Sequence, residues 1–370
     1  MPKQQPRQSK PPQRPNGLFD ILKSRRHVFL QGQIADEFSQ VDKQRVDRLS
    51  DVLCSYISNN LPRSFESRDG LSDYRTNPYV LMTAASTVGL RDHHSFGKFL
   101  FDSKLYMGLE TSFGKSVEAA FVSPYPINST NKWDDPPEKL REFAALTGLS
   151  REEKANTRSN SIWREIDKSV VIGKKRFLTS IKSGPNTIND TQVQGMADAI
   201  LKNHKMWLSQ SKAGAQGIEE IDVVIGLTYG TDKTTNNKEN QILAKLIGGG
   251  FEEEDRHKWP GILIDSETRS VRVYRRIGMD FWDFIGSPDN PGSSSFLFLE
   301  ILLSLSRGLS KCIEGADLET RIALKMNHLA DALRKMTFNR RTLPDWMGGF
   351  GEAELFWFTT ALSAFYDEGI

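Results

Sequence analysis

Apolar positions along the chain change their period twice. From residue 34 to 61, Val41, Val46, Leu49, Val52, Leu53, Tyr56, Ile57 and Leu61 recur at spacings of three and four with charges between them. That pattern predicts an amphipathic helix, closed by Leu61-Pro62. Residues 79–107 predict helices broken between Gly89 and His94, and SFGKSVEAAFV at 112–122 predicts another. Residues 124–160, rich in Pro, Asn, Asp and Ser, read as an irregular excursion holding a helix over 140–156. The period then shortens. SVVIG at 169–173 and RFLTSIK at 176–182 flank Gly173-Lys174-Lys175 as a hairpin. A helix over 190–209 precedes EIDVVIGLTYG at 220–230, whose nearly unbroken apolar run suits the middle of a sheet. GILID at 261–265 and VRVYR at 271–275 predict two more strands, and 293–338 and 352–367 return to helix. No internal repeat is visible. This order predicts a mixed α/β core with extra helices at both ends.

Composition narrows the class. The 370 residues are 38% apolar and 26% charged, enough for one large globular domain or two ordinary ones. The longest apolar run, FLFLEILLSL at 296–305, falls short of the roughly 20 residues of a membrane span. The N-terminus has basic residues but no apolar stretch of a secretory signal. Cys54 and Cys312 are the only cysteines, too few for a disulfide framework or a cysteine zinc cluster, and they suit a reducing cytoplasm. The net charge of +2 is unevenly spread: residues 1–26 hold seven basic residues against Asp20 alone, among five prolines. Such an arm is expected to be extended and disordered. It is either a solubilising tail or a phosphate-backbone contact.

The informative segment is EIDKSVVIGKKRFLTSIKSGPN at 165–186. Asp167 stands at the mouth of the first hairpin strand. Ser180 and Lys182 close the second and, two apart, share a face. A hairpin brings Asp167 beside them. Phosphodiester hydrolysis uses this set: a carboxylate to hold Mg²⁺, and a lysine to orient or deprotonate a water and offset negative charge. Glu118, the only acid in 112–122, is either a second metal ligand or a solvated helix glutamate. Lys174, Lys175 and Arg176 make a basic tip, read either as a DNA-backbone contact or as an ordinary charged turn.

These residues resemble the PD-(D/E)XK nuclease superfamily. More closely, the chain resembles type II restriction endonucleases that cut GGNCC-type palindromes, with the RGGNCCY-cutting enzyme as prototype. The resemblance spans 77–285. It is carried by NPYVLMTAAS at 77–86, ETSFGKSVEAAF at 110–121, EID at 165–167, TSIKSGPNTINDTQVQGM at 179–196, DVVIGLTYG at 222–230 and VRVYRRIGMDFWDFI at 271–285. It implies a restriction-endonuclease-like central mixed β-sheet flanked by helices, with additional N- and C-terminal helices. The implied organisation is a basic arm over 1–26, a helical region over 27–76, the catalytic core over 77–290 and a helical region over 291–370. It implies Asp167 as metal ligand, Lys182 as catalytic lysine and Glu118 as the helix acid. Ser180 stands where most of the superfamily has Glu or Asp, and a neutral hydroxyl is a poor Mg²⁺ ligand. Either Glu118 supplies the missing charge, or Asp167, the Ile181 carbonyl and waters suffice. Lys115 and Asn186 are further candidate DNA contacts.

Other features carry less. Phe113-Gly114-Lys115-Ser116 looks like the end of a P-loop, but Leu109 holds the place of the required glycine. Gly248-Gly249-Gly250 followed by Glu252, Glu253, Glu254 and Asp255 reads as a flexible, solvated acidic loop. Tyr274, Phe281, Trp282 and Phe284 read as core. The six histidines form no metal-ligand spacing. The expected activity is Mg²⁺-dependent, site-specific cleavage of double-stranded DNA by a homodimer, leaving 5′-phosphate ends, with a cognate DNA methyltransferase as genetic partner. The alternatives are a non-cleaving DNA-binding protein on a decayed nuclease scaffold and a structure-specific repair nuclease.

Overall fold

The computed structural model describes residues 41–66, 77–120, 132–184, 188–214, 217–230, 236–254, 261–288, 296–315, 318–334, 341 and 344–366. The basic arm and Asn186 lie outside them. In chain order the helices and strands are α1 (Lys43–Glu66), α2 (Pro78–Thr87), α3 (His93–Ala120), α4 (Pro137–Ala144), α5 (Arg151–Asn160), β1 (Lys168–Ile172), β2 (Lys175–Lys182), α6 (Asp190–Gly214), β3 (Glu220–Leu227), α7 (Lys238–Leu246), β4 (Phe251–Glu253), β5 (Leu263–Asp265), β6 (Val271–Ile277), α8 (Met279–Gly286), α9 (Phe296–Gly315), α10 (Leu318–Arg334) and α11 (Glu352–Tyr366). They form two compact units, one of residues 1–46 with 121–303 and one of 47–120 with 304–370.

The first unit is built on a six-stranded mixed sheet in the order β1-β2-β3-β6-β5-β4. This is the mixed α/β architecture expected from the sequence. β1 and β2 are the antiparallel hairpin, turning at Gly173 (φ 58°), a conformation that favours glycine. β2, β3 and β6 run parallel, and β5 and β4 complete the sheet antiparallel. β3 lies centrally, as its apolar run predicts. Strand alternation separates two faces. Leu178, Ile221, Val223, Ile225, Leu227, Val271 and Val273 face one way and pack against α6 and α7. The buried positions of α6 (Val193, Met196, Ala197, Ile200, His204, Trp207, Leu208 and Ser211) follow the three-four spacing of an amphipathic helix. Fully burying each large apolar side chain contributes about 1.5–3 kcal/mol. α6 starts where Asn189 and Gln192 cap each other: the Gln192 N–H donates to the Asn189 side chain and the Asn189 N–H to the Gln192 side chain, both at 2.9 Å. On the opposite face Phe284 meets Trp133, Phe177 and Tyr274 edge to face, so the aromatic group is core, as expected. The β1 edge is partly covered, because Asp134 and Ser169 exchange main-chain hydrogen bonds of 3.0 and 2.7 Å.

The second unit is helical. Leu81, Ala85, Phe96, Leu100, Phe101 and Leu329 form its core, and the Trp357 indole N–H donates to the Leu90 carbonyl at 2.7 Å. Arg307 and Lys311 of α9 pair with Asp47 and Asp51 of α1.

Four local expectations need correction. α1 continues through Pro62 to Glu66; Ser58 and Asn59 are exposed there, so water can stand in for the N–H that proline lacks. Residues 93–120 are one helix, not two, because the interruption at 108–111 holds no proline and one glycine, a cost of about 1 kcal/mol that a long helix absorbs. The helix expected over 140–156 is two. Gly148 turns at φ 93°, and Ser150 with Glu153 forms the capping box that starts α5. The acidic loop after Gly250 begins as edge strand β4, whose Glu252 pairs with Arg269 while Glu254 beyond it pairs with Arg272. Asp255 lies outside the described residues.

Candidate active site

Asp167 sits one residue before β1, where the hairpin ladder runs out. Its N–H donates to the Thr179 carbonyl at 2.8 Å. Its Oδ2 then accepts the Ile181 N–H at 2.6 Å. The carboxylate therefore takes over the ladder position that a main-chain carbonyl would otherwise fill. The fully buried Ile166 anchors the preceding residue, and Lys139, near the start of α4, donates to the Ile166 carbonyl at 2.6 Å. Burial pushes the Asp167 carboxyl above its ordinary range, while the Lys182 charge, the Ile181 N–H and the Lys139 charge pull it back down and Glu165 adds to the rise. The two lysines are thus close enough for their charges to be felt at the carboxylate.

Lys182 ends β2, half-buried. Its carbonyl accepts the Thr228 N–H at 3.0 Å, and the Thr228 hydroxyl donates to the Ser183 carbonyl at 2.9 Å. A side chain at Gly184 would overlap the Tyr229 ring, its Cβ falling 2.1 Å from a ring carbon. The segment after Lys182 is therefore fastened to the end of β3. Ser180 and Lys182 face the α6 side of the sheet, in register with Ile225 and Leu227. The Ser180 hydroxyl is fully buried and its oxygen has no hydrogen-bond partner. In a strand the N–H and carbonyl of one residue point the same way, so the Ile181 carbonyl is directed toward the Asp167 side. The donors gathered here are a carboxylate oxygen not used by Ile181, a main-chain carbonyl and a hydroxyl. All are hard oxygen ligands of the kind Mg²⁺ takes, with water completing its shell. They fit such an ion sparsely. Among the described residues no cluster of three or more His, Cys, Asp or Glu side chains could hold a metal.

Residues 146–256 match the family model of the type II restriction endonuclease EcoO109I. The match supports a type II restriction endonuclease. It runs from just after α4 through α5, the hairpin, α6, β3 and α7 to β4 and therefore contains Asp167, Ser180 and Lys182. No curated protein matches the chain.

The basic tip stands elsewhere. It lies seven residues along β2 from Lys182, roughly 23 Å at the usual rise, and its charges are engaged. Lys174 pairs with Glu219 at 2.5 Å. Lys175 lies 3.4 Å from Asp222 and 3.5 Å from Glu220. Arg176 is 3% exposed; its guanidinium donates to both Glu138 oxygens at 2.9 and 2.8 Å and to the Ser211 hydroxyl at 3.0 Å, and it covers the Trp163 ring. The expectation of a DNA contact at Arg176 is corrected accordingly: this arginine is an interior ion-pair partner. Arg176 alternates to the α6 face, where the buried Glu138 meets it. Glu118 and Lys115 lie on α3, in the other compact unit, and their side chains fall outside the description. Sequence reasoning missed Lys139. Its one local signal was the Pro136-Pro137-Glu138-Lys139 helix start, which says nothing of what the lysine reaches.

Proposed function

We propose that the protein is a Mg²⁺-dependent type II restriction endonuclease that cuts both strands of DNA at a palindromic, GGNCC- or GGWCC-like site and leaves 5′-phosphate ends. The observation that carries this reading is the Asp167 carboxylate, fixed by the Ile181 N–H and sharing its electrostatic surroundings with Lys182, inside the segment that matches a restriction-endonuclease family. Asp167 and the Ile181 carbonyl would hold the ion, with water completing its shell. Bound there, Mg²⁺ supplies neutralisation of charge on the scissile phosphate and a polarised water. Lys182 Nζ offers a hydrogen bond that orients the attacking water and a positive charge that offsets the developing oxyanion. Asp167 is prearranged for this work, because one oxygen is tied to the backbone and cannot swing away. Lys139 steadies the Ile166 carbonyl and adds a second positive charge. Two copies of the chain would treat the two strands of a palindrome alike, which favours a homodimer. A cognate DNA methyltransferase would protect the host genome, and the site of action would be the cytoplasm.

One observation favours a second reading. Ser180 puts a buried neutral hydroxyl where a second carboxylate would strengthen the metal site, as on a scaffold that binds DNA without cutting it. Incubating phage or plasmid DNA with the purified protein and Mg²⁺, then sequencing the fragment ends, separates the two. Discrete fragments with one shared end sequence establish the nuclease and its site. A mobility shift without fragments establishes the non-cleaving binder, and nicking at branches alone would instead mark a structure-specific nuclease.

A further inference from the structure

A cavity of about 480 Å³ opens over the first residues of β2 and β3 and the neighbouring part of β6. It lies on the sheet face opposite Ser180 and Lys182 and at the other end of β2, so the proposed phosphodiester chemistry does not use it. Asp222 lines it and is 4% exposed. The Asp222 Oδ2 accepts the Tyr274 hydroxyl at 3.1 Å and lies 3.4 Å from Lys175 Nζ. Its Oδ1 is buried with no hydrogen-bond partner. Arg276, two residues along β6 from Tyr274 and on the same face, holds its guanidinium 5.3 Å from the Tyr274 ring centre, and its Nε is likewise buried without a partner. The Phe177 and Tyr274 rings form an apolar flank. Arg272 is already taken up by Glu220 at 2.7 Å and Glu254 at 3.2 Å.

One small cavity is therefore lined by a carboxylate and a guanidinium that each keep a buried atom without a hydrogen-bond partner, beside aromatic walls. Leaving a buried carboxylate oxygen and a guanidinium N–H unpaired is costly. A ligand that completes them brings an N–H donor for Asp222 and an anionic oxygen for Arg276. An amino-acid zwitterion meets both charges but leaves most of the space and the aromatic flank uncovered. A planar heterocycle with an amino or imide edge and a phosphate meets all three, and the cavity falls within the size range of small-molecule sites. We propose that this cavity binds a mononucleotide, the N–H edge of its base on Asp222 and its phosphate on Arg276.

The test is calorimetric titration of the full-length protein with each of the common 5′-mononucleotides, inorganic phosphate, glutamate and arginine, in EDTA so that no cleavage occurs. At least one nucleotide should bind with one-to-one stoichiometry. Asp222→Asn and Arg276→Gln should each weaken it by about tenfold or more, and Lys182→Ala should leave it unchanged. Tyr274→Phe, which removes only the hydroxyl donated to Asp222, serves if Asp222→Asn does not fold. The proposal is overturned if no nucleotide saturates at millimolar concentration, if phosphate or either amino acid binds as tightly as the best nucleotide, or if Lys182→Ala abolishes binding while Asp222→Asn does not. That last result would move the ligand to the other end of β2, and none of these outcomes depends on whether the protein cuts DNA.

Discussion

The two ends of β2 are alike in sequence and opposite in use. Lys174-Lys175-Arg176 begins the strand and Lys182 ends it. At the beginning every cation faces a specific acid: Glu219 for Lys174, Glu220 and Asp222 for Lys175, Glu138 for Arg176. At the end a lysine lies near one carboxylate whose remaining oxygen, with a neighbouring carbonyl, suits a cation. A basic residue at a turn is therefore not a phosphate contact by virtue of its charge. What decides is whether the fold has already assigned that charge a partner, and strand parity settles this one residue at a time.

The largest expected effect tests the Lys182 end. Lys182→Ala should slow cleavage of plasmid DNA in Mg²⁺ by about a thousandfold, within the range for a lost general acid-base or charge-stabilising group. Site-specific binding in Ca²⁺ should stay within a few-fold of wild type. Lys175→Ala should keep cleavage within about twofold. Equal loss of rate from the two lysines would erase the distinction between the ends.

Next in size is the interior pair. Arg176→Met leaves the buried Glu138 carboxylate without its guanidinium, and breaking such a pair from one side costs about 3–5 kcal/mol. Urea unfolding should show that loss, and Arg176→Met combined with Glu138→Gln should recover most of it. A mutant that stays as stable as wild type but binds DNA less well would return Arg176 to the role of a DNA contact.

Two acids give the comparison a pH signature of opposite sign. Burial alone would raise the Glu138 carboxyl, but its hydrogen bonds from Arg176 bring it below its ordinary 4.5. It therefore adds stability that is present above pH 4.5 and lost as pH falls through the lowered value. Asp222 is raised above its ordinary 3.8, by burial first, with the Lys175 charge and the Tyr274 hydroxyl pulling the other way. Its contribution is fullest below pH 3.8 and declines as pH rises through the raised value. Relative to wild type, Asp222→Asn should gain stability across that rise, whereas Glu138→Gln should lose it as pH climbs from the lowered value to 4.5, with no further change above. Unfolding curves taken from pH 3 to 7 check both signs, and parallel curves for the two variants would refute them.

Much of the sheet was readable because its cues are local. The Gly173 turn, the unbroken apolar β3 and the alternation of Ser180 with Lys182 all sit within a few residues. Asp167 was readable for the same reason, since a hairpin turns closeness in sequence into closeness in space. What escaped depends on separation. The Glu138–Arg176 pair spans 38 residues and the Lys139–Ile166 bond 27, and no periodicity encodes either. β4 was hidden because three residues of Phe-Glu-Glu carry no strand pattern until β5 pairs with them. Pro62 was over-read, because a helix breaker is weighed against the whole helix rather than against its neighbours.

The smallest expected effect is the one most able to sharpen the contrast. A phosphate contact made by a lysine releases counterions, so each one removed changes the slope of log K against log salt by close to one unit on duplex DNA. If Lys174 and Lys175 are committed to Glu219, Glu220 and Asp222, the double variant Lys174→Ala, Lys175→Ala leaves that slope unchanged, and fluorescence anisotropy across 50–200 mM salt should show two parallel lines. A slope shallower by about two would mean that DNA displaces the acids and that the tip is a contact after all. An intermediate loss of one unit would single out Lys174, the more exposed of the two, and would leave the strand with one committed and one free cation at the same turn.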